Sequence, residues 1–413
     1  MPTVAGFYFL LMRCLWLTRK YPRPVNSGEL IYSDGMISAF AETEVELTVI
    51  AHDNDERPVG DGSSDSRYVD AQGVAWRLGS PQLGGRLGSL VTRYPSDSHR
   101  LKNGGPEAAL AQALREESWD VIVIDHAAMG WALESLVKGR NGSRQPKLVY
   151  LSHNHEAKIR REIAKESTNE SLPKRLALRL DAEKYVRQEE ALCAQVDLVT
   201  AITDTEVAAY RDQFSNQRYL TLTPGYRGER HPNHEITEAT PRRVVMSGSF
   251  EWIAKRLNLE SFLAKAAKPF AEAGIELQIV GKTDEAFRQS IAARYPTVDF
   301  VGKVPEMTPY LLDSRMGLIV ETLGGGFKLK ALDYLFHRLP LAGLRHAVDG
   351  LPHTSPEEVL LMDSMPSLIR EVIVAVDDVP RLNRMTAASF EKCEAAFEWK
   401  DRGRQLHEAI SAL

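Results

Sequence analysis

Short apolar runs alternate with longer stretches of helical period through most of the chain. That rhythm predicts strands joined by amphipathic helices, as in parallel α/β sheets. In the first half, apolar runs at 10–17, 45–50, 121–124, 147–152 and 198–202 predict strands. Helical periodicity covers 31–41, 107–117, 129–137 and 176–195. Residues 53–66, rich in Asp, Gly and Ser, read as a surface loop. The polar segment 224–241, with Pro224, Pro232 and Pro241, reads as a linker. Beyond it the rhythm restarts, with strands at 243–247, 276–280, 298–301, 317–320, 340–343 and 358–362. Helices fit 257–273, 284–293, 307–314, 327–338 and 365–374, and one or two more fit 383–413. The predicted organisation is an α/β domain over 1–235, a second over 236–385, and a helical segment over 386–413 packing back on the first. Two such halves are expected to hold a ligand in a cleft between them, at the carboxyl ends of the strands.

Composition narrows the class. The 413 residues are 43% hydrophobic and 26% charged, with a net charge of −5. Those values fit a globular protein and exclude a general nucleic-acid binder. Cys14, Cys193 and Cys393 lie far apart and form neither a metal spacing nor a disulfide framework, which points to a reducing cytoplasm. Residues 4–17 are apolar apart from Arg13. They lack a basic leader and a small-residue cleavage site and are too short to span a bilayer, so a buried first strand is expected. Basic residues from Lys158 to Arg187 suggest an anionic membrane surface, but acids interleave almost one for one. That is the pattern of a solvated helix face, so peripheral membrane contact is expected at most.

The chemistry concentrates in IVETLGGGFKLKALDYLFHRLP, residues 319–340. A short strand meets Gly324, Gly325 and Gly326, and a helix is predicted from Phe327 to Arg338. Glycines admit a ligand close to the backbone, and free N–H groups at a helix start favour an anion. Lys328 and Lys330 would then sit in the first turn, where the helix dipole disfavours cations. A bound phosphate resolves that conflict, so the segment reads as the diphosphate cradle of a sugar-nucleotide enzyme. Asp333, about 10 Å further along a helix, is spaced to meet ribose hydroxyls. No Gly-Lys-Ser/Thr follows, so this is not a Walker motif. The plainer alternative is a glycine-rich turn with solvated lysines.

Four other constellations stand at predicted strand ends. Gly248 permits a tight turn after the first strand of the second half, and Lys255 or Arg256 is placed to reach a phosphate, or simply to coat a helix. Asp125 and His126 suit acid–base work, or capping of the following helix. In His153-Asn154-His155-Glu156, no distant Cys or His cluster completes a metal site, so no metal is expected. His153 or Glu156 reads instead as a hydrogen-bonding partner of a substrate. The loop from Thr18 to Glu29, containing Ser27 and Gly28, is either a cleft edge near donor and acceptor or a surface turn.

Together these residues resemble the two-domain GT-B glycosyltransferases, most nearly the GT4-type (group 1) family. The resemblance covers nearly the whole chain and is sharpest from Gly248–Trp252 through Gly281-Lys282, Phe300–Lys303 and Gly324–Asp333 to Gly343. It implies two Rossmann-like α/β domains facing a central cleft. It also implies a nucleotide-diphosphate sugar as donor, held by the second domain without a bound metal. Gly248, Lys255, Gly325, Gly326, Phe327, Lys328 and Lys330 would line the diphosphate, and Asp333 the ribose. The first domain would take a glycan, lipid-linked or small-molecule acceptor at Ser27, Gly28 and Glu156, with Asp125, His126 or His153 as catalytic groups. One position departs from the family. Its paired glutamates, separated by seven residues, would fall here at Gly325 and Asp333, so the first carboxylate is missing and Glu321 lies too early to replace it without a different loop. A sugar-nucleotide epimerase and a catalytically silent partner subunit are the alternatives.

Overall fold

A computed structural model describes residues 11–25, 27–54, 66–80, 83, 85–103, 105–138, 145–168, 170–324, 326–352 and 355–413. The chain divides into two compact units, one of residues Met1–Leu222 with Trp399–Leu413 and one of Thr223–Glu398. The segments 223–235 and 386–398, expected with their neighbours on the other side of each boundary, sit in the second unit.

The first unit is built on β1 (Met12–Lys20), β2 (Val45–His52), β3 (Arg67–Val69), β4 (Ala75–Gly79), β5 (Val121–Asp125), β6 (Lys147–Leu151), β7 (Leu198–Ala201) and β8 (Arg218–Thr221). Their order is β3-β4-β2-β1-β5-β6-β7-β8, parallel except for the β3–β4 pair. All five residues of β5 are buried, as are the central residues of β1. Strands covered on both faces need continuous apolar runs, which is why these were legible in sequence. Short β3, β4 and β8, and the helices Ser96–Lys102, Glu156–Glu166 and Asp204–Gln213, were not foreseen. The helix expected at 129–137 is a 3-10 segment, Ala127–Ala132, followed by Leu133–Lys138. Side chains take the carbonyls an α-helix would use: Gln188 donates to the Ala127 carbonyl at 2.6 Å and Ser98 to that of Ala128 at 2.8 Å.

The second unit carries β9 (Arg243–Ser247), β10 (Glu276–Val280), β11 (Val298–Gly302), β12 (Met316–Ile319), β13 (Leu341–Leu344) and β14 (Leu360–Met362). All neighbours are parallel, in the order β11-β10-β9-β12-β13-β14. Numbered within the unit this is 3-2-1-4-5-6, the doubly wound arrangement, with its reversal point between β9 and β12. In the first unit the equivalent reversal falls between β1 and β5. The 224–241 segment is stitched to its own unit. Arg315 donates to the carbonyls of Thr240 and Glu238, and Asn383 exchanges two hydrogen bonds with Ile236.

The last helix, Trp399–Ser411, packs in the first unit against the helix Gly28–Ala41. Two glycines set that approach. A Cβ on Gly35 would meet the Trp399 ring at 2.4 Å, and one on Gly403 would meet the Ala39 carbonyl at 2.0 Å. The obstacle at Gly403 is backbone and cannot swing aside. Gly403→Ala is therefore expected to destabilise the first unit by about 1–3 kcal/mol in urea unfolding, the usual cost of overpacking. Unchanged stability would mean the two helices are not in contact there.

Candidate functional site

In the second unit the reversal point gathers the residues expected to bind a donor. β12 ends at Ile319, and two residues later Glu321 is buried. Its Oε1 lies 2.7 Å from Lys330 Nζ and 3.1 Å from Lys255 Nζ. Burial alone would push the Glu321 carboxyl up, but the charges of Lys330, Lys255 and Lys328 hold it well below the usual carboxylate range. Oε2 is buried without a hydrogen bond among the described residues. Lys328 is itself buried, with its ammonium 3.0 Å from the Gly326 carbonyl. Three lysines against one carboxylate leave two positive charges at the mouth of the sheet.

This corrects the reading of the lysines. The helix runs only over Lys330–Phe336, so Lys328 precedes it and Lys330 opens it. Gly324 and Gly326 take positive φ of 99° and 69°, and Phe327 turns inward against Phe397, with ring centroids 5.8 Å apart. Those turns consume the residues expected to start the helix. The lysines are neutralised in part by Glu321 from the same chain and do not wait for a phosphate. Gly325 lies outside the described residues.

The loop after β12 is braced by residues the sequence reading missed. Asn258 accepts from the Thr322 and Leu323 amides at 3.0 and 2.9 Å and donates to the Leu323 carbonyl at 2.8 Å. Tyr334 accepts from the Ser247 amide at 3.0 Å, tying the helix to the end of β9. Asn258 has no helix-terminal or turn position to mark it; a polar residue on an otherwise apolar helix face was the available signal. Gly248 has φ of 151° and open space where a Cβ would be, while a Cβ on neighbouring Gly281 would strike the Gly248 carbonyl at 1.6 Å. Asp333 is half-buried and hydrogen-bonded to Tyr226. Burial pushes its carboxyl up to about 6, the Tyr226 bond offsetting only part of this.

In the first unit, β5 and β6 end in a second cluster. His153 Nε2 lies 2.5 Å from Asp125 Oδ1, and Trp16 donates to Asp125 Oδ2 at 3.0 Å. Burial acts to raise the Asp125 carboxyl. The charge of His153 and the bonds from His153, Trp16 and Ser33 outweigh it and hold the carboxyl low. Burial likewise acts to lower His153, and Asp125 outweighs it, so the imidazole sits above its ordinary value. Tyr32 packs edge-on to the His153 ring at 4.9 Å. The other ring nitrogen, Nδ1, makes no hydrogen bond among the described residues.

His126 plays a different part. Its φ of 83° is a rare conformation for a residue with a side chain, costing on the order of 1–3 kcal/mol. Its Nδ1 accepts from the Ala128 amide at 3.0 Å, and its Nε2 faces Glu156 Oε1 at 3.5 Å. Glu156 Oε2 takes Arg160 Nε at 2.9 Å. Burial opposes its charge, but Arg160 and His126 hold the Glu156 carboxyl well below the usual range. Both groups are engaged with their own chain. Ser27 caps the helix Gly28–Ala41 by accepting from the Leu30 amide at 3.4 Å, and Gly28 is the first helical residue. A further missed residue is Glu189. It accepts from Tyr150, Tyr210 and the amides of Glu156 and Ala157, anchoring the start of Glu156–Glu166. His155 stacks on Tyr210 at 4.6 Å and pairs with Glu189 at 3.2 Å. Among the described residues no group of three or more His, Cys, Asp or Glu is placed to hold a metal.

Two doubly wound units, each with charged residues at its reversal point, fit the GT-B class of fold. No protein-family model matches the chain, and no curated sequence does. Solved structures do match over nearly its full length. Sucrose-phosphate synthase from Thermosynechococcus elongatus is similar with a TM-score of 0.72 at 15% identity, covering 97% of this chain and 98% of that one. HepE from Anabaena, in complex with UDP and glucose, gives 0.63 at 14% identity, covering 97% and 100%. WaaG, a glycosyltransferase involved in lipopolysaccharide biosynthesis, gives 0.62 at 15% identity with the same coverage. The chain has the GT-B glycosyltransferase fold.

The Asp125–His153 pair has a definite pH signature. His153 is raised in the folded state, so its contribution is complete below the unfolded imidazole value of about 6.5 and is lost as pH rises through the folded value. Asp125 is depressed, so its contribution is complete above about 3.9 and is lost as pH falls through the folded value. His153→Gln is expected to cost roughly 1.5–3 kcal/mol near pH 6, a bond to a charged group, and progressively less in alkaline urea titrations. A cost independent of pH would argue against a charged pair.

Proposed function

We propose that the protein transfers a sugar from a nucleoside-diphosphate sugar to an acceptor hydroxyl. The observation that carries this reading is the net excess of two positive charges at the β9–β12 reversal point, where Lys255, Lys328 and Lys330 surround one carboxylate. Ligands of open α/β sheets bind at such points. The neighbour HepE was solved with UDP and glucose, and a donor of that class suits this charge. The lysines and the open backbone at Gly248 hold the diphosphate, with Gly326 giving it room, and Asp333 accepts from the ribose hydroxyls.

During transfer the bond from the anomeric carbon to the diphosphate oxygen breaks, and the lysines stabilise the charge left on that oxygen. The acceptor oxygen bonds to the anomeric carbon. Above the raised folded value of His153, where the imidazole is neutral, the proton goes to His153 Nδ1, and Asp125 stabilises the imidazolium that results. His126 packs edge-on against the His153 ring at 5.3 Å and is itself held by Glu156, so the two position this pair. Ser27 and Gly28 border the acceptor, a glycan, a lipid-linked sugar or a small metabolite.

Lys328→Ala combined with Lys330→Ala is expected to weaken nucleoside diphosphate binding at least ten-fold in calorimetry while the protein stays folded. Unchanged affinity, across UDP, GDP, ADP and dTDP, sinks the phosphate assignment. Asp333 gives a second test. Only its ionised form accepts from two hydroxyls, so nucleotide affinity is expected to fall as pH drops through about 6. The ligand's own phosphate titrates in the same range, so free pyrophosphate serves as the control. Asp333→Asn is expected to lower nucleotide affinity and leave pyrophosphate unchanged; an equal loss for both removes the ribose contact.

A further inference from the structure

Six of the large apolar side chains left exposed in the described chain fall in two segments of the first unit, the 3-10 turn Leu87–Val91 and the start of the helix Leu172–Gln195. On the helix, Leu172, Leu176 and Leu180 recur every fourth residue and so share one face, spanning about 12 Å. Their exposures of 71%, 64% and 43% mean that nothing among the described residues covers that face. The next residue on the line, Lys184, turns inward and donates to the carbonyls of Ser89 and Leu90. One turn away, Asp181 accepts from the Ser96 amide at 2.6 Å. These bonds fasten the turn beside the leucine line, and the turn adds Leu87 and Val91, exposed by 82% and 90%. Monomeric proteins rarely leave such a contiguous apolar area in water.

The charges around it share one sign. Residues 172–180 contain Lys174, Arg175 and Arg179 and no acid, and residues 86–93 contain Arg86 and Arg93 and no acid. The acids at the border are already matched: Glu170 with Lys174, Glu134 with Arg93 and Glu183 with Arg161. Arg86, Arg175 and Arg179 make no ion pair among the described residues. The interleaving of acids and bases read along 158–187 does not hold on this face, where the acids fall behind it or beyond its edge. A second copy of the chain is disfavoured as occupant, because a two-fold contact would set the same cations against each other.

We propose that this face docks on an anionic phospholipid surface, with the leucines and Val91 entering the headgroup–acyl boundary and the arginines meeting lipid phosphates. An apolar stripe flanked by cations is the physical requirement for lying in a membrane interface. It is local, since the chain as a whole carries a net charge of −5. The face is separate from the sugar-transfer reading and stands or falls without it.

The test is co-sedimentation of the full chain with vesicles of phosphatidylcholine mixed with phosphatidylglycerol, against phosphatidylcholine alone. Binding to the mixed vesicles is expected to be at least ten-fold tighter and to weaken steeply with salt. Leu176→Gln combined with Val91→Gln, and separately Arg175→Gln combined with Arg179→Gln, are each expected to reduce it at least five-fold without moving the melting midpoint. No binding, equal binding to both vesicles, or binding that the variants do not change overturns the proposal. So does a dimer in sedimentation velocity that the Leu176→Gln variant dissociates, which would assign the face to a second copy.

Discussion

A carboxylate taken out of water needs cations around it, and Glu321 has three lysines within electrostatic reach. The dependence is mutual. Lys255 comes from the helix after β9, Lys330 from the helix after β12, and Lys328 from the loop between β12 and that helix. Glu321 therefore ties together the elements on both sides of the reversal point. Removing the carboxylate strands the lysines, at a cost of up to roughly 3–5 kcal/mol. The cluster is also left incomplete: it carries a net two positive charges and an Oε2 without a hydrogen bond among the described residues. An arrangement like this holds its lysines in position before any ligand arrives, and has charge left over for an anion.

The two units use the same topology for opposite electrostatics. At the β1–β5 reversal, acids and bases are matched: Asp125 with His153, Glu156 with Arg160 and His126. Such a cluster has little net charge to attract an anion. At the β9–β12 reversal, charge is in excess. The division between a polar, neutral site and a cationic one follows from which residues end the strands, since the parallel order puts those ends together in both units.

Much of this was legible because buried parallel strands must be apolar throughout. The runs at 121–124, 147–152 and 243–247 correspond to β5, β6 and β9 within a residue or two. Edge strand β3 and its neighbour β4 carry mixed residues and gave no such signal. The glycine run was read correctly as a break, but the helix after it was placed three residues early, because Phe327 was counted as helical when it packs inward on Phe397. Glu321 was judged only against the family spacing. Its partners, Lys255 and Lys330, lie 66 residues before it and nine after it, and nothing local links them. His126 was read as a base or a cap; its Nδ1 does cap the segment that follows, while its Nε2 faces Glu156. Exposure is the least legible property of all. The spacing of Leu172, Leu176 and Leu180 is that of any helix face turned to a core, and only the fold shows that face bare.

The most direct test replaces Glu321 by glutamine and follows thermal unfolding with and without a nucleoside diphosphate. With the carboxylate gone, the lysines repel one another until an anion arrives. Glu321→Gln is then expected to melt lower than the parent protein and to gain more from the nucleotide than the parent does. An equal gain in both proteins, or no gain in either, would contradict the assignment of this lysine cluster as the diphosphate seat.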